Sequence, residues 1–262
     1  MENLKERQAL EAIKAEMAGI PGHAGFYYKN LVTGTTDGLR ADEAYLAASV
    51  IKLPLFLHVL TRAARGTLSL EDKLTVVPEE KVPSCGALYL FDGPVEADIK
   101  ALCRLMICIS DNTATNRLIR HCGFEEIERG FVAMGLEKTK IRRYLFDAET
   151  TAKGIRNTIS PNELGLLFQR LYRGEFVGRE VSDYALDVLL DQQIGHKLGG
   201  KLEDVAIAHK TGEDSGLSND LGIVYADKPF VLCFTGHQTD VYPFEDLMRS
   251  AAYDLYMVNN ED

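Results

Sequence analysis

Leu4, Ala9, Leu10, Ile13 and Met17 recur at close to helical spacing, and Gly19 with Pro21 closes the run, so the pattern predicts an amphipathic helix over residues 2–18. The texture then changes. GFYYKNLVTGTTDGLR, residues 25–40, is rich in aromatic and β-branched residues about Thr33-Gly34 and predicts two strands joined by a turn. From Ser49 to Gly195 the runs LCRLMICIS and TATNRLIRHCG read as helices, Gly66 and Gly123 mark helix ends, and no clear strand interrupts the block. Strands return after Val205 as AIAHKTG, DLGIVYA and FVLCFTG, the last two joined through Asp227, Lys228 and Pro229, and a helix from about Phe244 to Val258 closes the chain. This order predicts an α/β (α+β) sandwich: an antiparallel five-stranded sheet built from both chain ends with flanking terminal helices, plus an inserted all-helical subdomain. Residues 1–262 are expected to form a single domain, with 1–48 and 196–262 as its sheet part and 49–195 as its helical part. A cleft between the two is the expected ligand site.

One segment breaks the apolar pattern. In AASVIK, residues 47–52, a lysine opens the apolar run LPLFLHVL. On a helix beginning near Ala48, Ser49 and Lys52 share a face, because residues three apart are neighbours there. Pro54 fits a first helical turn, where the missing N–H costs little, although the same ring biases Leu53 toward extended backbone. A lysine held in an apolar pocket at a helix start loses hydration and faces the positive end of the dipole, and both effects favour the neutral amine. Such an amine can take a proton from serine, making Ser49 a nucleophile whose own N–H is one oxyanion donor. The alternative on these residues alone is a Lys52 that snorkels to the surface and a Ser49 that only caps the helix.

Composition narrows the classes. A chain of 262 residues that is 46% hydrophobic can bury a substantial core, and its formal net charge of -10 argues against a polyanion-binding surface, so nucleic acid is not an expected partner. No run has the length of a signal peptide or membrane span, so the expected setting is the cytoplasm, with no membrane partner and a monomeric state. Cys85, Cys103, Cys108, Cys122 and Cys233 form no CxxC pair and read as free, packed thiols, with a place at the site mouth, from its distance before residue 110, the alternative for Cys85. The scattered histidines lack HExxH spacing, and neither a metal nor another cofactor is expected.

Two further motifs decide between the readings of Ser49 and Lys52. Ser110-Asp111-Asn112 stands at a break between helical runs, and Lys210-Thr211-Gly212 lies on an expected strand. S-x-x-K, S-D-N and K-T-G in this order are the motif set of class A β-lactamases and penicillin-binding proteins. The sequence resembles the class A-like serine β-lactamase family over nearly its whole length, including ASVIKLPL, SDNTATN, RNTISP, AHKTG and SNDLGIV. The resemblance implies Ser49 as the acylated nucleophile, Lys52 as its base and Ser110 as a proton relay to the leaving nitrogen, with Lys210 nearby. It implies Asn112 on a substrate side-chain amide, Thr211 on a substrate carboxylate or carbonyl beside Gly212, and the Glu213 N–H completing the oxyanion hole. Asp111 is expected to tie the turn rather than do chemistry.

The same resemblance exposes departures. The family's loop before the RNTISP segment carries a glutamate that orients the deacylating water, whereas an ungapped count here falls on Tyr144, with Asp147 and Glu149 the nearest acids. Glu149 is expected either to substitute as that base or to be a solvated loop acid. Asn157 replaces an aspartate that pins the loop by a salt bridge, although Arg142 and Arg143 remain. Ser218 stands where many relatives place an arginine, so Lys197 and Lys210 are expected to meet a substrate carboxylate, against repulsion from Glu213. The implied activity is opening of a β-lactam or related amide through an acyl-enzyme; a cytosolic amidase or esterase and a sensor that binds without turnover are the competing expectations, all with small-molecule partners.

Overall fold

A computed structural model describes residues 4–260, so the expected helical positions Glu2 and Asn3 lie outside the described residues. The chain opens with α1 (Leu4–Met17), which buries Leu10, Ile13 and Met17, followed by β1 (His23–Asn30) and β2 (Thr36–Leu39). Between these strands the Asn30 side chain accepts from the N–H groups of Val32 and Thr33, and Gly34 takes the left-handed conformation that closes the turn. Short β3 (Tyr45–Leu46) leads into the helical block of α2 (Lys52–Ala64), β4 (Lys73–Val76), β5 (Val95–Asp98), α3 (Ile99–Cys108), α4 (Asn112–Cys122) and α5 (Phe124–Ala133). The block continues with α6 (Ala148–Ala152), β6 (Thr158–Ile159), α7 (Pro161–Arg173) and α8 (Arg179–Leu190). The chain then supplies β7 (Ile207–Asp214), β8 (Leu217–Val224), β9 (Phe230–His237) and α9 (Val241–Asn259).

The sheet runs β2-β1-β9-β8-β7, antiparallel throughout, so the first and last strands of the chain meet at its centre. Both faces are covered. Phe26, Tyr28, Leu232 and Phe234 alternate onto the face that packs with α1 and α9, while Tyr27, Leu221, Ile223 and Cys233 turn to the helical side. A sheet buried on both faces reads as nearly continuous apolar sequence, which is why these strands stand out in the chain. Glu6, buried in α1, accepts from Tyr28 Oη at 2.5 Å and Asn30 Nδ2 at 3.0 Å, fastening that helix to the sheet.

The helical block departs from its all-helical expectation. β4 pairs antiparallel with β5, and β3 pairs with β6. β4 alternates exposed Lys73 and Thr75 with buried Leu74 and Val76, but four residues are too short to separate from helical periodicity. The last helix starts at Val241 rather than near Phe244, since Pro243 falls in the first turn, where no intrahelical partner is lost. At the centre of the block, α2 buries every residue from Lys52 to Leu60.

Candidate active site

The site lies where the start of α2 meets β7 and the turn before α4. Ser49 sits not on the expected α-helix but in a 3-10 turn, Ala48–Ile51, that runs into α2. Neither helix start has a side-chain cap, so Ser49 is free of the capping role. Ala48 holds φ 41, a strained value for a residue with a Cβ. The surroundings fix it: buried Asn219 of β8 donates to Leu46 O at 3.0 Å and Ala47 O at 3.1 Å while accepting from Gly236 N at 3.1 Å. β7 closes in at Gly212, where a methyl group would lie 3.0 Å from the backbone nitrogens of both Ser49 and Val50. Only glycine lets strand and turn approach so closely.

Lys52 is fully buried and does not snorkel. Its Nζ lies 2.9 Å from Ser49 Oγ, 2.7 Å from Ser110 O, 2.9 Å from Ser110 Oγ and 2.7 Å from Asn112 Oδ1. Burial, and then the neighbouring Lys210, hold its pKa well below the ordinary lysine value. Ser110 adopts φ 57, and that turn lets both its carbonyl and its hydroxyl reach the lysine. Asp111 makes the turn: its carboxylate accepts from Ala87 N at 2.7 Å, Leu88 N at 2.9 Å and Ala114 N at 2.8 Å, the last bond capping α4. Lys210 Nζ stands 3.2 Å from Ser110 Oγ and 2.8 Å from Thr211 O, and burial lowers its pKa to about 7. Ser49, Lys52, Ser110 and Lys210 thus form one continuous hydrogen-bonded chain, with Asn112 and buried Thr211 beside it.

The sheet side corrects the expectation for Lys197. It is fully buried, donates to Gly212 O and Asn219 O at 3.2 Å each, and pairs with Glu213 at 3.1 Å, so its charge serves the fold and not a substrate carboxylate. The same pair draws the Glu213 carboxylate aside. Ser218 Oγ donates to Glu245 at 2.8 Å, and Asp220, fully buried, meets His209 Nδ1 at 2.8 Å and Leu198 N at 3.1 Å. His196, Glu213 and Glu245 bring ligand atoms within 4.8 Å of one another, a set that could hold a metal ion, but Lys197 already pairs with both carboxylates. Cys85 is exposed, unlike the four other thiols, and its carbonyl accepts from Asn112 N at 3.2 Å beside the site.

The loop from Arg142 to Ser160 is closed without a salt bridge. Asn157 Oδ1 accepts from Arg142 N at 2.8 Å and Arg143 N at 3.1 Å, and its amide donates to Arg143 O at 3.2 Å. Asn116, one turn beyond Asn112 on the same face of α4, exchanges both backbone bonds with Leu145, at 2.8 and 2.9 Å. Neither residue was singled out in the sequence reading. The tie therefore holds an apolar, buried Leu145 against α4 one turn beyond Asn112. Tyr144 stacks edge-on against Phe124, and Asp147 caps α6. Glu149 does not join the site: its side chain is 83% exposed and pairs with Lys153 at 2.7 Å.

Comparison with known proteins follows this geometry. Residues 8–258 match the beta-lactamase enzyme family, and the chain belongs to that family of hydrolases. It is similar to a β-lactamase of Rhodobacter capsulatus, at 28% identity over 73% of this chain and 67% of that protein. It also resembles β-lactamase L2 of Stenotrophomonas maltophilia, at 26% identity over 79% of this chain and 69% of that one. Among solved structures, a β-lactamase from Sphaerobacter thermophilus superposes with TM-score 0.83 at 25% identity, covering 97% of this chain and 95% of that one. PBP-A superposes with TM-score 0.84 at 28% identity, covering 97% and 94%, and a mutant of it is described as an acyl-enzyme complex with penicillin G. Among the described residues no helix is long and apolar enough to cross a membrane.

Proposed function

We propose that the protein is a serine hydrolase of the class A type that opens a β-lactam or related amide through an acyl-enzyme on Ser49, and that it releases the acyl group slowly. The observation that carries the reading is a fully buried Lys52, its pKa held far down, 2.9 Å from Ser49 Oγ. Neutral Lys52 takes the hydroxyl proton as Oγ attacks the substrate carbonyl, and the oxyanion gathers on the N–H groups of Ser49 and Glu213. As the C–N bond breaks, Ser110 gives its proton to the leaving nitrogen and regains one from protonated Lys52, 2.9 Å away, so Lys52 ends neutral and Lys210 keeps its charge. Asn112 holds a substrate amide, and Thr211 with protonated Lys210 holds a carboxylate.

Hydrolysis of the ester needs a water and a base. The outward Glu149 and the apolar Leu145 support a slow second step, and they favour a second reading, a sensor that acylates with scarcely any turnover. Intact mass after mixing with penicillin G, at seconds, minutes and hours, tests both. We expect one penicillin per chain within seconds and slow return over minutes; an adduct unchanged for hours favours the sensor. No adduct, with activity on p-nitrophenyl esters alone, overturns the β-lactam reading in favour of an amidase or esterase.

A further inference from the structure

The far end of α2 opens onto a second cavity, ≈ 610 Å³, that the chemistry above does not use. We propose that this cavity binds a small phosphorylated metabolite, its phosphate on Arg62, Arg65 and Arg129 and its organic body against Met134, Phe176 and Val177. The volume lies within the usual span of small-molecule sites.

The charge balance is the main argument. Arg62 and Arg65 come from the end of α2, Arg129 from α5 and Arg170 from α7, and Glu126 is the one carboxylate on the lining. Arg129 pairs with Glu126 through both Nε, at 2.8 Å, and Nη2, so the phosphate must share this guanidinium with the carboxylate. Arg62 donates to Thr67 O at 3.2 Å, and Arg170 donates to Met134 O at 3.4 Å and lies 5.3 Å over the Phe176 ring, contacts that leave both charges in place. The C-terminal ends of α2, α5 and α7 converge here, each worth roughly half a negative charge. With Glu126 they offset about two and a half of the guanidinium charges, and an excess remains in a chain whose net charge is -10. Guanidinium forks match phosphate oxygens in pairs, which an ammonium does not.

A second observation points the same way. His58 lines the cavity at 4% exposure, and its Nε2 has no hydrogen-bond partner. Burial, with Arg62 and Arg65 beside it, lowers its pKa to about 4, so it is a neutral ring with hydrogen-bonding capacity the fold leaves unused. The backbone makes room for that ring, since a methyl group on Gly130 would fall 2.0 Å from His58 Nδ1.

The test is calorimetric titration of the full chain with inorganic phosphate and with adenosine monophosphate, on the wild type, on Arg62→Gln/Arg65→Gln and on Arg129→Gln. These side chains are exposed or half-buried, and none belongs to the Ser49 site. We expect saturable one-to-one binding, tighter for the nucleotide, weakened at least about tenfold in the double variant and less in the single one, with the rate of Ser49 labelling unchanged. No saturable binding of either probe up to about 10 mM, or equal binding by the double variant, overturns the proposal. Phosphate binding as tightly as the nucleotide overturns the assignment of the apolar half.

Discussion

The floor of the site and the loop beside it differ in where their polar groups point. On the floor, Lys52, Ser110, Asn112 and Lys210 are buried and joined to one another, and each position is fixed by a second element. In the loop the backbone is equally well tied, by Asn116 and Asn157, yet its acids Asp147 and Glu149 turn outward to a cap and an ion pair. The difference teaches that this loop can be tied down firmly while both of its acids are committed away from the buried Ser49–Lys52–Ser110–Lys210 chain. Anchoring and chemistry are separable in the loop, because its anchors use side chains other than the one that would do the work.

Removing the proposed nucleophile breaks the comparison most completely. Ser49→Ala should abolish covalent labelling by penicillin G while the melting temperature stays near that of the wild type, because Ser49 caps no helix; labelling at any other serine, read by mass, would sink the assignment. Next in size is a gain. Leu145→Glu puts a carboxylate on the loop residue tied to Asn116, one turn along α4 from Asn112, and steady-state turnover of a chromogenic cephalosporin should rise roughly 10²–10⁴-fold, the usual worth of a general base. The same change should cost about 1–3 kcal/mol of stability for burying a polar group in an apolar place, measured by urea unfolding.

A pH profile sharpens the view of the floor. Lys210, with its pKa lowered to about 7, is protonated below that pH and neutral above it. For an anionic penicillin, kcat/KM should therefore fall above about pH 7, toward a tenfold loss per unit, while a neutral p-nitrophenyl ester lacks this limb. Parallel profiles for the two substrates would remove Lys210 from carboxylate binding. The smallest effect belongs to Glu149→Gln, which should leave the burst and the turnover within about twofold of wild type in stopped flow, as expected for an exposed pair. A hundredfold loss would show that the loop moves to bring Glu149 in.

Much of the floor was legible in the chain because its chemistry is local or carried by short motifs. Ser49 and Lys52 meet as expected even though the serine lies on a 3-10 turn, since residues three apart remain neighbours through the junction with α2. Asp111 could be assigned to the turn by its type and place. The loop was less legible. Counting back from Pro161 led to Tyr144, whereas the tie to α4 is made at Leu145 through a pair of bonds spanning 29 residues, which no periodicity records. Lys197 was misjudged for a related reason: a lysine reads as available charge until the partners that bury it, here Glu213 and two carbonyls, are assembled.

The pairing of β1 with β9 has a kinetic side. Every residue of β1 waits for a partner about two hundred positions later in the chain, and Asn30 bonds Asn259 across 229. During synthesis the helical block emerges complete while β1 and β2 have only each other, and the central sheet can assemble only once β7, β8 and β9 have followed. Loop-closure entropy must then be met before that pairing gives any return, which makes the closing of the sheet the slow event in folding and a lone β1–β2 hairpin the species most exposed to misassociation.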